Sequence, residues 1–393
     1  MRMECRKLIL RRETLILFLL SIGVLFILTM KTDPGDRMLK KQYRSVIARY
    51  RMPFTEAADA LYNELEGLGD LPADQESEAY CRWIAVSNLL SSTKRHTEHN
   101  EEMIRILGEL QATAENADTE YIRRDARKAY QAYNRAYEYH PCNFNDMNLG
   151  VWNLEDAEFR YLFLLVAGAL LCNLFTLESE TGMYQLLYSS KRGKPGLFVR
   201  KIGAAFLFLV PISFVFIAFP FVGLWLRRGL SFYLLWEPMQ SMDAFALCPF
   251  SLTLGEYLLL SWGMHLLVGI LLVSLIALSS VFLKRGLSVF GVTGAVMLGT
   301  ALLGASEQAP LLAYQVRKFG GCSLLNLQTY LTAYDTVNVL GYPVTRFYLA
   351  AAFTLVLSAA LLLLAYILYM EAFRKTSSEE KEGVKLCRWN FTH

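Results

Sequence analysis

The sequence predicts an all-α polytopic membrane protein, with six transmembrane helices and a helical extracytoplasmic domain between spans 1 and 2. Three observations carry this reading. Of 393 residues, 54% are hydrophobic and only 19% are Asp, Glu, Lys or Arg, which is too apolar for an ordinary soluble chain. Six apolar stretches reach 17 residues or more, and even 17 residues of helix cover roughly 25 Å of a hydrocarbon core about 30 Å thick. The segment 31–159 holds 16 basic and 23 acidic side chains, with apolar residues at helical spacing, as a separate water-exposed unit would. The same composition excludes a disordered chain, a coiled coil, a collagen and a small disulfide scaffold.

Residues 1–30 read as a basic N-terminus and a first span. The apolar run from Thr14 to Met30 follows Arg2, Arg6, Lys7, Arg11 and Arg12. A basic start before an apolar run also describes a signal peptide, but the exit Leu28-Thr29-Met30-Lys31 lacks the small residues a signal peptidase needs, so an uncleaved anchor is expected.

Segment 31–159 predicts about four helices. Their apolar faces run through Phe54, Ala57, Ala58, Leu61, Leu65 and Leu68, then Tyr80, Trp83 and Ile84, then Met103, Ile104, Leu107 and Leu110, and finally Ile122, Ala126, Tyr130, Tyr133 and Tyr137. Breaks are expected at Gly67 to Pro72, around Ser91 to Lys94 and at Asn116 to Asp118, with His140-Pro141 closing the fourth helix. The Tyr130, Tyr133 and Tyr137 stripe fits packing or a ligand surface. His96 and His99, one turn apart beside Glu98, Glu101 and Glu102, fit either a metal site or a polar helix start capped by Thr97 or Asn100. Cys81 and Cys142 are a possible disulfide or two buried thiols, and Cys248 and Cys322 are a second possible pair.

Residues 160–370 supply the other five spans: Tyr161 to Leu177, Ile202 to Leu226, Tyr257 to Leu283, Leu287 to Ala305 and Phe347 to Met370. Basic residues collect before the first span, between Glu178 and Lys201, at Lys284 and Arg285, and in the tail 371–393, while the alternate short loops carry few. That asymmetry places both termini in the cytoplasm. The spans hold no Asp, Glu, Lys or Arg beyond their flanks, and His265 is their lone imidazole, so no proton relay or intramembrane catalytic constellation is written there. Asn173, Ser261, Thr293, Thr354 and Ser358 suit interhelical hydrogen bonds, and Gly291, Gly294, Ala295, Gly299 and Gly304 suit close helix packing, within the chain or between subunits.

The chain carries no phosphate-cradling loop of its own, because Gly193-Lys194 runs into Pro195 and Tyr188 stands five residues before Gly193. No Gly-x-Ser-x-Gly elbow or His-Glu-x-x-His pair is present either, so no common hydrolase signature marks it as an enzyme.

The loop 178–201 begins with Glu178 and Glu180, breaks at Gly182, and continues as a short amphipathic stretch with Met183, Leu186 and Leu187 on one side. Ser189, Ser190, Lys191 and Arg192 lead into a basic turn, and Lys201 opens the next span. In this order of acidic pair, glycine, Leu-Leu, small residues, basic turn and lysine, the chain resembles the permease subunits of ABC type-2 transporters, in the branch with a large insertion between the first two spans. The match covers the span layout of the whole chain and about 24 residues of motif. The turn departs from the family pattern in Gly193-Lys194-Pro195, which leaves the end of the helix open.

The resemblance implies that Glu178, Glu180, Gly182, Met183, Leu186, Leu187, Ser190, Arg192 and Lys201 form a coupling helix seated on a separate cytoplasmic ABC ATPase. ATP would then be bound by that partner and no cofactor by this chain. It also implies a second permease subunit, identical or diverged, and short re-entrant helices before the last span, for which Ser323 to Thr332 is the candidate. The expected protein is a bacterial cell-membrane exporter subunit in contact with lipid and not with nucleic acid. The other reading is a membrane sensor or scaffold that binds a ligand or protein through its extracytoplasmic helices.

Overall fold

The structure is a computed structural model. It describes residues 16, 19–24, 36–75, 77–139, 157–182, 194–228, 232–302 and 319–390. Of the first expected span, residues 19–24 are helical, and the remainder lies outside the described residues apart from Ile16.

Four helices form a bundle from segment 31–159: α1 (Asp36–Arg49), α2 (Phe54–Leu68), α3 (Glu78–Asn116) and α4 (Glu120–Tyr139). Val46, Ile47, Phe54, Ala57, Leu61, Val86, Leu89 and Leu90 bury a common core where α1 and α2 lie on the first half of α3. Two expected breaks occur, after Leu68 and at Asn116. The third does not, because α3 runs unbroken through Ser91 to Lys94. There the hydroxyls fold back onto the helix: Ser91 Oγ donates to the Ser87 carbonyl at 2.9 Å and Thr93 Oγ1 to that of Leu90 at 2.8 Å. Thr97 and Asn100 are therefore interior residues of α3 and not caps; Ser77 caps this helix, accepting from the Tyr80 amide at 3.1 Å. His140-Pro141 lies outside the described residues.

The apolar helices follow: α5 (Ala157–Glu180), α6 (Lys194–Arg228), α7 (Leu254–Phe282), α8 (Gly286–Leu302) and α10 (Arg346–Asn390), with the short α9 (Gln328–Leu331) between the last two. Four stretches, Arg160–Glu180, Gly196–Val222, Leu254–Phe282 and Arg346–Glu371, are long and apolar enough to cross a membrane; Gly286–Thr300 is apolar but shorter. α7 is the central helix and packs on α5, α6, α8 and α10. It starts with a reciprocal cap in which Thr253 Oγ1 accepts from the Glu256 amide and the Glu256 carboxylate from the Thr253 amide.

α10 stands at the edge. Tyr348, Phe353, Leu355, Val356 and Leu363 are exposed on it, and a helix apolar on every side belongs in lipid or against another protein. The chain is thus a mainly helical protein of the membrane-spanning class.

Two of the polar residues suited to bonds between helices bond within their own helix instead. Thr293 Oγ1 and Ser358 Oγ donate to the Val289 and Thr354 carbonyls of their own helices, and His265 Nδ1 lies 2.9 Å from the Ser261 carbonyl. A side-chain bond that does cross between apolar helices is Trp262 Nε1 to Ser213 Oγ, 3.0 Å, from α7 to α6. A Cβ placed on Gly291, Gly294 or Gly299 would meet nothing within 4 Å, so these glycines make no close packing contact among the described residues. Close approach falls elsewhere, at Gly269 beneath Leu209 and at Gly168 beneath Phe290.

Short elements gather at the end of the spans that faces the bundle. Between α6 and α7 lie three 3-10 turns, among them Asp243–Phe245; before α10 lie the turn Gly321–Leu325, α9 and an antiparallel hairpin of β1 (Thr336–Val339) and β2 (Tyr342–Thr345), paired Thr336 to Thr345 and Val339 to Tyr342. The turn and α9 occupy the stretch picked out for short helices and bury Leu324, Leu325, Leu327, Tyr330 and Leu331. Cys248 and Cys322 are free thiols and not a disulfide: Cys248 Sγ donates to the Phe250 carbonyl and Cys322 Sγ to that of Met297. Burial pushes the Cys248 thiol up to about 12. Cys81 is also free and buried, while Cys142 lies outside the described residues.

Candidate functional site

The site forms where the ends of three apolar helices meet, away from the bundle. Residues two apart on a helix point roughly 200° away from each other, so Glu178 and Glu180 at the end of α5 serve opposite neighbours. Glu178 faces α6. Its carboxylate pairs with Lys201 Nζ, which also donates to the Phe175 carbonyl at 3.0 Å, and both side chains are buried, Glu178 at 4% exposure and Lys201 at 8%. A lysine near the start of an apolar helix is held by a carboxylate and a carbonyl from the end of the previous one, which supplies the partners a buried ammonium requires.

Glu180 faces α8. Its Oε1 accepts from the Gly286 amide at 2.6 Å, at the first turn of that helix, where unpaired amides and the helix dipole favour a carboxylate. A Cβ on Gly286 would stand 3.0 Å from Thr176 Oγ1 and 3.2 Å from Asn173 Oδ1, so any larger residue would press these side chains aside where the helix starts against α5. Gly182 then ends α5 with φ +69°, a left-handed conformation suited to glycine.

Of the sequence-predicted residues, the structure therefore brings together Glu178, Glu180 and Lys201, with Gly182 beside them. Met183, Leu186, Leu187, Ser190 and Arg192 lie outside the described residues. The two glutamates bind neighbouring helices of the same chain rather than presenting a free acidic face. Sequence reasoning missed Gly286; its signal was a glycine opening an apolar run directly after Lys284-Arg285.

A second constellation ties the bundle to the spans. Asp243 receives Arg95 Nη2 at 2.7 Å and Nε at 3.1 Å on Oδ2, and Ser92 Oγ at 3.1 Å on Oδ1. His96 Nε2 lies 3.0 Å from the same Oδ1 but outside good hydrogen-bond alignment, so this contact is one of charge when the ring is protonated. The imidazole is 4% exposed and stacked on Phe54, with centroids 3.9 Å apart. Burial alone would raise the Asp243 carboxyl; His96 and Arg95 outweigh it and hold the group down at about 2.

His99 stands edge-on to His96 at 6.3 Å, and Asp243 occupies the histidine that a metal site would have shared with it. Among the described residues, no group of three or more His, Cys, Asp or Glu is placed to hold a metal ion.

The hairpin is the other attachment. Thr336 Oγ1 donates to Asp125 Oδ1 at 2.7 Å, Lys128 Nζ to the Pro343 carbonyl at 3.1 Å, and the Tyr334 amide to Tyr133 Oη at 3.3 Å. The tyrosine stripe of α4 is thus divided: Tyr133 is buried against the strand region, while Tyr137 remains exposed.

Fold and site define a multi-pass helical membrane protein whose polar bundle is fastened to the ends of its apolar helices. No family model, curated protein or solved structure matches the chain.

Proposed function

We propose that the chain is the membrane-spanning permease subunit of an ATP-driven ABC transporter of type-2 character, working as an exporter in a bacterial cell membrane. In this reading it has six spans, cytoplasmic termini and an extracytoplasmic bundle. A separate cytoplasmic ATPase binds the nucleotide and grips residues 183–190, and a second permease subunit completes the path. The observation that supports it is the double engagement of α5. Through Glu178 and Lys201 it holds α6, and through Glu180 and Gly286 it holds α8, so a pull on the loop that follows Gly182 reaches three helices together.

The test is affinity purification from the native membrane in mild detergent, with ATP hydrolysis assayed. A stoichiometric ATPase subunit is expected, lost on Leu186→Asp with Leu187→Asp while the chain still inserts. A stable complex with no nucleotide-binding partner overturns the reading. That outcome favours the alternative, a sensor or scaffold, whose supporting observation is the fastening of the bundle both to Asp243 and to the hairpin ahead of α10.

A further inference from the structure

The turn between β1 and β2 places its central residues, Leu340 and Gly341, at φ +52° and +87°. Two-residue hairpin loops of this kind call for Asn-Gly or Asp-Gly, because a side chain branching from a left-handed backbone is crowded. Leucine occupies the position here, it is the one non-glycine residue with positive φ among the described residues, and it is 96% exposed. Among the described residues the strained leucine has no packing partner, which leaves it facing outward from them. Val339 and Tyr342 flank it, both exposed, and the segment from Thr336 to Thr345 contains no charged residue.

The position of this tip follows from the long helix of the bundle. α3 has 39 residues, about 58 Å of helix, and touches Asp243 near its middle, through Ser92, Arg95 and His96. Its first half carries Glu78 and Arg82 and packs on the polar α1 and α2, which cannot enter hydrocarbon. α3 therefore lies across the ends of the spans instead of standing upright on them, and α4 lies along it. The hairpin follows α4 from Tyr133 towards Arg124, whose guanidinium covers the Tyr342 ring at 5.0 Å, so the hairpin also runs sideways. β2 passes directly into α10 at Arg346, six residues after Leu340, which keeps the tip within roughly 20 Å of the start of that apolar helix.

The neighbouring charges suit phosphate headgroups. Within an acidic segment, α4 carries a net positive charge; its exposed Lys128 reaches the hairpin at Pro343, Arg127 is exposed next to it in sequence, and Arg124, paired with Glu120 at 2.9 Å, lies over Tyr342.

We propose that Val339, Leu340 and Tyr342 form an interfacial anchor that inserts into the headgroup and upper acyl region of the leaflet where α10 enters the membrane. An apolar tip with a tyrosine beside it and basic side chains behind it is the composition such an interface takes. This stands whether or not the chain works with an ATPase.

The test uses the full chain in nanodiscs of phosphatidylcholine and phosphatidylglycerol with brominated acyl chains. The tryptophan emission added by Leu340→Trp, by Val339→Trp and by the exposed control Ala112→Trp on α3 is measured against the parent chain. The expected result is a blue shift and loss of most of the added emission for both hairpin variants, with neither for the control. Val339→Trp needs no left-handed backbone, so it carries the readout if Leu340→Trp folds poorly. Hairpin emission that matches the control overturns the proposal. So does emission that is blue-shifted but unquenched and present only with two chains per disc, which would assign the tip to a contact between copies.

Discussion

Glu178 and Lys201, 23 residues apart in sequence, meet as a buried ion pair that joins the end of α5 to the first turns of α6. Removing one member leaves the other charge buried without its partner, which costs about 3–5 kcal/mol. Lys201→Met and Glu178→Gln should each lower the thermal midpoint in detergent sharply. Combining Glu178→Lys with Lys201→Glu should recover part of the loss. Equal stability of the single variants and the parent would show that the pair does not hold the helices. Charge reversal at Glu178 is accordingly a test of folding before it is a test of coupling to an ATPase.

Glu180 has a different task. Its side chain is exposed, so its bond to the Gly286 amide is a cap on α8 and not a buried charge contact. Glu180→Ala should cost about 1 kcal/mol, the usual value of an N-terminal cap, and should raise hydrogen exchange at the first turn of α8. Unchanged exchange there would count against the cap.

Asp243 makes the attachment of the bundle dependent on pH in a defined direction. Its carboxyl lies below the ordinary 3.8, at about 2, so its contribution is complete above pH 3.8 and is lost as pH falls through about 2. The difference in thermal midpoint between the parent and Asp243→Asn should therefore persist from neutral pH down to about 4 and shrink below it. A difference that already disappears near pH 6 would assign the effect to another group. Because Asp243 is partly exposed, solvent screening keeps the size of the difference modest.

Leu340 offers a test of strain that is independent of lipid. In detergent, Leu340→Asn keeps a residue that tolerates positive φ and removes crowding worth about 1–2 kcal/mol, so the chain should melt at the same temperature or higher. A clear loss of stability would mean that the leucine packs on the chain itself.

The apolar helices were legible because runs of that length have no other use, but their ends were not. Expected ends at Leu177 and Ile202 became Glu180 and Lys194, since paired charges let the helices run on past the apolar stretch. The pairing itself depends on the fold, because nothing in the sequence tells Glu178 which of the later lysines it will meet. Polar α1 escaped notice, with little more than Val46 and Ile47 to bury, and serines read as a break in α3 proved to be residues bonded to their own helix. The hairpin was missed because its strands have four residues each and its turn has leucine where asparagine is the usual signal. Asp243, alone in a loop, carries no local pattern at all; its role comes from three side chains on one face of a distant helix.

The close crossing of α6 and α7 provides the last prediction. A Cβ on Gly269 would stand 2.9 Å from Leu209 Cγ, and both residues are buried. Gly269→Leu should therefore force the helices apart and cost about 1–3 kcal/mol, as overpacked cores do. Because the obstruction is one side chain and not backbone, Leu209→Ala in the same chain should return much of the stability by opening space for the new leucine. The four thermal midpoints of this cycle decide the matter. If Leu209→Ala fails to relieve Gly269→Leu, the two positions do not face each other and the packing of α6 on α7 is different from the one described.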